Sequence, residues 1–353
     1  GKTNAPELGP TCYTETSVGG VTRSPYGTDR SPSGSSGGSA SAVAAGLMPV
    51  GHASDGLGSI RTPAAACGLV GHKPSRGRFA GSGNDWQALG VEGPVARTVA
   101  DAALFLDALP RPGAGVLWHG TEWSDGGHGA ATRRRVTGLR IGVHTDPGMD
   151  VPVDPACLAA VQLAADSLSD AGHELIDVPA GVLPRMDGLR AALGATMSAR
   201  IAHAVETAVP ADRRHLLMPL TTWLHHQGST RPAFEFAGGQ SLLAAAACAW
   251  AQGQAGYDLL LTPTTTTPPV EVGSLRLDDG DASLDAMLGY SAFTPWANLT
   301  GAAAISLPVA MTDDGLPIGV QLIGGVGDDE LLLSVAAAME EQLLWHQRHP
   351  VQF

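Results

Sequence analysis

Apolar residues in the middle of the chain alternate between short continuous runs and longer segments with helical spacing. Residues 139–143 (LRIGV) and 173–178 (HELIDV) have the pattern of strands, and residues 155–171 between them repeat apolar positions every three or four residues. Strands joined by helices build a sheet that is covered by helices. The pattern therefore predicts an α/β fold.

Further helices are predicted on both sides of this unit, over residues 38–47, 62–68, 94–106, 189–209, 234–254 and 328–344. Thr62 followed by Pro63 is a helix start, with threonine as N-cap and proline in the first turn. The alanine-rich composition of residues 234–254 predicts a buried helix. Residues 48–53 predict a short buried strand, and the Gly-, His- and Asp-rich residues 110–135 predict a solvated linker.

Residues 31–61 carry two glycine-flanked serines, Ser35 in SGSSGGS and Ser59 in DGLGS. A serine hydroxyl becomes a nucleophile when another group accepts its proton, and the tetrahedral intermediate needs N–H donors for its oxyanion. Glycines let consecutive N–H groups point into one cavity. The stretch therefore predicts a catalytic serine at Ser59 and a second serine, Ser35, that relays its proton.

These residues resemble the amidase signature family of serine hydrolases. SGSSGGSASAVAAG and SDGLGSIRTPAAACGLVGHKPSRGR match its two motifs in order, and the separation of 24 residues between the serines matches as well. Residues 257–264, 302–308 and 317–323 resemble further buried strands of the family. The resemblance implies the amidase signature fold, an α/β fold with a mixed central β-sheet flanked by α-helices.

The resemblance also implies roles for individual residues. Ser59 is the nucleophile that forms the acyl-enzyme, and Ser35, after a cis Gly34–Ser35 bond, is the proton relay. Asp55 and Arg61 brace the turn. The oxyanion hole is formed by the backbone N–H groups of Gly56, Leu57, Gly58 and Ser59.

Two positions depart from the family pattern. Leu57 stands where the family has a small residue, and its side chain is expected to narrow the acyl pocket. The family's base is a lysine, and neither Lys2 nor Lys73 matches its position, which lies upstream of Gly1. We therefore expect an N-terminally truncated chain that is inactive as it stands, and an intact protein that hydrolyses the C–N bond of linear carboxylic amides.

The resemblance divides the chain into ranges of different character. We expect one amidase domain over residues 1–353 that lacks its N-terminal segment. Residues 1–108 form the signature core with both serine loops, residues 109–256 are variable and contact the substrate, and residues 257–353 return to the central sheet.

Composition limits the choice of partners. A net charge of −13 argues against nucleic acid as a ligand, because phosphates need a basic surface. The four cysteines have no spacing typical of a zinc site. No segment has the length of a membrane span and no signal peptide is visible, so we expect a cytoplasmic protein. The mechanism implied by the resemblance needs no metal or organic cofactor. The expected partner is a small-molecule amide substrate. The sequence is compatible with a homodimer as well as with a monomer.

Other functions fit the same residues less well. Gly34-Ser35-Ser36-Gly37-Gly38 also fits a nucleophile elbow centred on Ser36, but no apolar strand precedes it. The glycine runs lack the Lys-Ser/Thr of a phosphate-binding loop. The alternative from another class is a non-catalytic amidase-like binding protein, or an amidotransferase-type subunit.

Overall fold

The computed structural model describes residues 1–80, 89–113, 118 and 126–350. The strands in this part of the chain are β1 (Glu15–Thr16), β2 (Gly20–Val21), β3 (Val50–Asp55), β4 (Val70–Lys73), β5 (Val91–Ala96), β6 (Arg140–Val143), β7 (Glu174–Asp177), β8 (Leu259–Pro263), β9 (Ala304–Met311) and β10 (Pro317–Ile323). The α-helices are α1 (Gly37–Ala44), α2 (Arg61–Ala66), α3 (Val99–Ala108), α4 (Gly127–Ala131), α5 (Pro155–Asp170), α6 (Arg190–Ala208), α7 (Pro219–Thr230), α8 (Ala233–Gln254), α9 (Gly280–Tyr290), α10 (Pro295–Thr300) and α11 (Asp329–Leu343).

A mixed eight-stranded sheet forms the centre of the molecule, with the strand order β3-β5-β4-β9-β10-β8-β6-β7. Strand β6 runs parallel to β7 and β8, and the other pairs in this sheet are antiparallel. The predicted α/β fold with a mixed central sheet flanked by helices is confirmed.

Two hydrophobic cores cover the two faces of this sheet. Side chains alternate between the faces of a strand, and in β8 Leu259 and Leu261 join one core whereas Leu260 joins the other. Helices α3, α5 and α11 supply the first core, and helices α6, α8, α9 and α10 supply the second. The serine loops lie beside the second core, because Leu57 packs against it.

The predicted helix over residues 94–106 is wrong in its first turn. Val91–Ala96 is strand β5, which pairs with β3 along its whole length and with β4 at its end. Helix α3 begins at Val99, where Thr98 Oγ1 accepts a hydrogen bond from the N–H of Asp101 at 3.0 Å. Pairing within the sheet overrides the local helical pattern.

Two expectations about the other helices are corrected as well. Helix α2 begins one residue before Thr62, whose hydroxyl donates to the carbonyl oxygens of Gly34 and Gly58 and caps nothing. Helix α8 is largely exposed. Only one stripe of it is buried, formed by Leu243, Ala246, Trp250 and Gln254. The small alanine side chains fit either environment, so composition did not show which face was covered.

Residues 110–135 are more than a solvated linker in the part that the structure describes; residues 114–117 and 119–125 lie outside it. His128 in α4 is fully buried, and its Nδ1 lies 2.9 Å from Asp107 Oδ1. The Asp107 carboxylate also accepts the N–H groups of His128 and Gly129. This contact fixes α4 against α3.

No helix in the described ranges combines the length and the apolar character that crossing a bilayer requires.

Candidate active site

The first serine loop lies between the N-terminal segment and helix α1. Its Gly34–Ser35 peptide bond is cis, as the resemblance predicts. A Cβ atom on Gly34 would lie 2.7 Å from the backbone nitrogen of Tyr13 and 2.8 Å from the carbonyl oxygen of Thr11, so only glycine fits here. Thr62 Oγ1 donates to the Gly34 carbonyl oxygen at 3.0 Å and connects this loop to helix α2.

The second serine loop joins β3 to α2 and contains Ser59. Gly58 has a φ of +132°, and a Cβ atom there would lie 2.2 Å from Thr294 Oγ1. The same Thr294 hydroxyl donates to the Leu57 carbonyl oxygen at 2.7 Å. Thr294, the residue before helix α10, therefore holds this loop from outside the motif, and there is no room for a side chain at residue 58.

Asp55 and Arg61 form a fully buried ion pair at the two ends of the second loop. Arg61 Nε lies 2.9 Å from Asp55 Oδ2, and Arg61 Nη2 lies 3.0 Å from Asp55 Oδ1. Burial alone would raise the pKa of Asp55, but the charge and hydrogen bonds of Arg61 outweigh it and lower that pKa below its ordinary value. The pair stays charged and braces the loop, as the resemblance implies.

Two further side chains complete this brace, and sequence reasoning missed both. Asn298 Nδ2 donates to Asp55 Oδ1 at 2.9 Å, and Asn298 Oδ1 accepts from Arg61 Nη2 at 2.6 Å. Gln321 Oε1 accepts from Arg61 Nη1 at 2.5 Å. The signal for Gln321 was a single polar residue in the apolar strand PIGVQLI; Asn298 had no comparable signal.

The backbone N–H of Gly58 donates to Asp55 Oδ1 at 2.6 Å. An oxyanion would have to share this donor with the carboxylate, and the place of Gly58 in the oxyanion hole stays a prediction. Among the described residues, no group accepts a hydrogen bond from the N–H of Gly56, Leu57 or Ser59. The N–H groups of these three residues can therefore donate hydrogen bonds to an anion in the pocket.

Both serines line one pocket of about 470 Å³. Ser35 is 8% exposed, and its hydroxyl forms no hydrogen bond with another described residue. Most of the pocket wall is apolar, with Leu57 and Leu89 beside the loop and Leu193, Met197 and Met287 from helices α6 and α9. Such a wall suits an apolar acyl group.

Charged side chains are scarce in this wall. Of the described lining residues, only Asp55 and Arg200 carry a charge, and the charge of Asp55 is neutralised by Arg61. Neither Lys2 nor Lys73 lines the pocket. Ser36 does not line it either, because its hydroxyl contacts the backbone of Ser54, and this disfavours the elbow alternative.

Lys73 is buried at the end of β4, and its Nζ donates to the carbonyl oxygen of Pro74 at 2.8 Å. Burial lowers the pKa of Lys73 most, and the neighbouring charge of Arg61 lowers it further. The negative charges of Asp55 and Asp329 raise it, and the resulting pKa is about 7. The amine is therefore part of the buried charge arrangement behind the second loop rather than of the pocket.

Comparisons with known proteins agree with this geometry. The sequence profile of the family described as Amidase matches residues 1–333. The chain is 36% identical to the 6-aminohexanoate-cyclic-dimer hydrolase of Paenarthrobacter ureafaciens over 381 aligned positions, which cover 99% of this chain and 74% of that protein. The chain belongs to the amidase signature family.

Solved structures show the same relationship. This amidase signature protein superimposes on the structure of 6-aminohexanoate cyclic dimer hydrolase with a TM-score of 0.92 at 34% identity, covering 99% of this chain and 76% of that one. A bacterial aryl acylamidase of the family gives a TM-score of 0.88 at 25% identity, with 98% and 73% of the two chains covered.

Replacing Gly58 by alanine is expected to lower the free energy of unfolding by about 2–4 kcal/mol, because Cβ meets Thr294 and the positive φ is unfavourable. Urea unfolding followed by circular dichroism measures the effect. The matched control is Gly56→Ala in the same loop, where a Cβ meets no atom within 4 Å. Equal stability of the two variants would contradict the close approach.

Replacing Asp55 by alanine is expected to cost about 3–5 kcal/mol, because it leaves the Arg61 guanidinium buried without its carboxylate. The control is Glu341→Ala, which removes an exposed partner of Arg135 and should cost less than about 1 kcal/mol. Denaturant midpoints and slopes compare the two. A similar small loss in both would show that the pair does not brace the loop.

Lys73 gives a prediction for the pH dependence of stability. Its pKa falls from 10.5 to about 7 on folding, so between these values the unfolded chain binds the proton and the folded protein does not. Stability from this group therefore rises as the pH increases from about 7 to about 10.5. The difference in unfolding free energy between wild type and Lys73→Met, measured across this range, should show the rise; a flat difference would refute it.

Proposed function

We propose that this protein hydrolyses a carboxylic amide through an acyl-enzyme on Ser59. The observation that carries the proposal is the meeting of Ser59 and Ser35 in one pocket, beside backbone amides of Gly56, Leu57 and Ser59 that have no other acceptor among the described residues. Family membership supports amide C–N hydrolysis as the reaction class.

In the proposed reaction Ser59 Oγ attacks the amide carbonyl carbon. Its proton passes to the Ser35 oxygen while the Ser35 proton passes to the base, and the three free amides bind the oxyanion. The proton then returns through Ser35 to the departing nitrogen as the C–N bond breaks. A water molecule cleaves the resulting ester by the same relay and releases the acid.

The described pocket wall does not supply the base that accepts the Ser35 proton. The resemblance implies a neutral lysine, and the two lysines of these 353 residues do not line the pocket. The proposal therefore assigns the base to neither Lys2 nor Lys73. Without a neutral lysine within reach of Ser35, we expect the binding pocket to persist and turnover to be lost.

We further propose a neutral, mainly aliphatic amide as the substrate. The leucine and methionine wall favours an apolar acyl group, and the described wall offers no unneutralised carboxylate for a cationic one. The hydrolase on which the chain superimposes with a TM-score of 0.92 is named for a cyclic dimer of 6-aminohexanoate. Cyclic amides are therefore tested beside linear ones.

The test measures acid release from linear and cyclic aliphatic amides, using the protein as its gene encodes it. Ser59→Ala is expected to lose about four orders of magnitude in kcat or more, because the nucleophile is gone. Ser35→Ala should lose kcat with little change in KM. Ser36→Ala is the matched control and should keep wild-type rates, since Ser36 lies outside the pocket. Equal rates for wild type and Ser59→Ala would remove Ser59 from the mechanism.

The second candidate is a protein that binds amides without turning them over. It is favoured by the absence of a lysine from the described pocket wall. Calorimetry with an amide that saturates the pocket, combined with no acid release from the gene-encoded protein, would select this function.

A further inference from the structure

A second cavity, of about 320 Å³, adjoins the serine pocket. Pro10 and Thr11 line both cavities, so the N-terminal turn before the first serine loop is a wall between them. The proposed hydrolysis uses nothing in this second cavity. Its wall has an apolar part formed by Pro6, Met218, Pro219, Leu220 and Leu277.

Two residues in this wall carry hydroxyl groups that have no hydrogen-bond partner within the described part of the chain. Tyr13 is 3% exposed and Thr221 is 2% exposed, and both residues line the cavity. Neither hydroxyl forms a hydrogen bond with another residue in the described part of the chain. Both residues line the cavity and neither hydroxyl oxygen is fully enclosed by protein, so both are placed to bind a polar group that enters the cavity.

Carboxylates outnumber cations around this cavity. Glu7, Glu15 and Asp278 line it together with one guanidinium, that of Arg276. Glu15 is buried, and its Oε2 lies 3.3 Å from Arg276 Nη1, so these two charges offset each other. The two remaining carboxylates favour a cation and oppose an anion.

The positions of these carboxylates are fixed by the backbone. Glu15 Oε1 accepts the N–H of Gly273 at 2.8 Å, and Glu7 Oε2 accepts the N–H of Met218 at 2.9 Å. Met218 precedes helix α7, which carries Thr221. Glu7 and Thr221 are therefore held on neighbouring segments of one wall.

We propose that this cavity binds a primary alkylammonium ion, with its ammonium group on Tyr13, Thr221 and Glu7 and its alkyl chain against the proline and leucine wall. An ammonium group has three N–H donors, and two hydroxyl oxygens and a carboxylate oxygen are acceptors for them. The assignment rests on this cavity alone and does not depend on amide hydrolysis.

Calorimetry with n-butylammonium chloride tests the site, with n-butanol and sodium butyrate as ligands of similar size and different charge. We expect saturable binding of the ammonium ion, at least tenfold weaker binding of the alcohol and none of butyrate. Thr221→Val, Tyr13→Phe and Glu7→Gln should each raise the Kd about tenfold, the effect of losing one hydrogen bond to a charged group.

Two control variants match these changes outside the cavity. Tyr257→Phe removes a hydroxyl and Asp313→Asn removes a carboxylate, and neither residue lines the cavity. Both should bind n-butylammonium like the wild type. Circular dichroism checks that every variant is folded. Equal binding of alcohol and ammonium ion, equal affinity in the three cavity variants, or no saturable binding would overturn the proposal.

A kinetic measurement separates an amine released by hydrolysis from one taken from solution. If n-butylammonium inhibits cleavage of N-butylacetamide and Thr221→Val relieves the inhibition, the cavity receives the released amine. If binding leaves the rate unchanged, the ligand is a free amine. Both results support the site, and because calorimetry needs no turnover, failure of the hydrolase proposal leaves this test intact.

Discussion

The buried ion pair of Asp55 and Arg61 is the constraint on which the candidate site depends. A buried pair is seldom a large source of net stability, because desolvation of both charges opposes their attraction. Here its effect is geometric. One carboxylate accepts the N–H groups of Gly58 and Ile60 as well as the guanidinium, so it fixes the turn that carries Ser59.

The same pair ties the second serine loop to the opposite end of the chain. Arg61 Nη1 donates to the Thr294 carbonyl oxygen at 2.8 Å and also reaches Gln321 in strand β10. Thr294 in turn holds the carbonyl oxygen of Leu57. The orientation of a nucleophile near residue 60 thus depends on side chains near residues 294 to 321, which explains why both ends of the chain enter one central sheet.

The sequence predicted the geometry of the loops better than their surroundings. The resemblance of the motif residues to the amidase signature family implied the cis peptide bond and the bracing role of Asp55 and Arg61, and the structure shows both. The partner at Asn298 could not be predicted, since its contact with Asp55 spans 243 residues and depends on how α10 packs. The contact of the Gly58 amide with Asp55 could not be predicted for a related reason: a motif shows which N–H groups are close together but not which acceptor each one meets.

The fold predictions failed where local pattern and tertiary position disagreed. Residues 94–96 have the composition of a helix start, but strands on either side recruit them into β5. Helix α8 was expected in the core because alanine is apolar, and yet Phe234 on the same helix is 76% exposed. Small side chains lose little when they face water, so an alanine-rich segment carries weak information about burial.

Lys73 shows why a shifted pKa does not identify a catalytic base. A lysine with a pKa of about 7 has the proton affinity that general-base catalysis requires. Its amine, however, donates to the Pro74 carbonyl oxygen and does not line the pocket that holds the serines. A base must first reach the proton that it removes, and only then does its pKa matter. Near neutral pH this amine loses its charge about half of the time, which limits its repulsion with Arg61 behind the loop. The low pKa of this lysine is thus explained by the bracing charges that position Ser59, without any role in the proton relay.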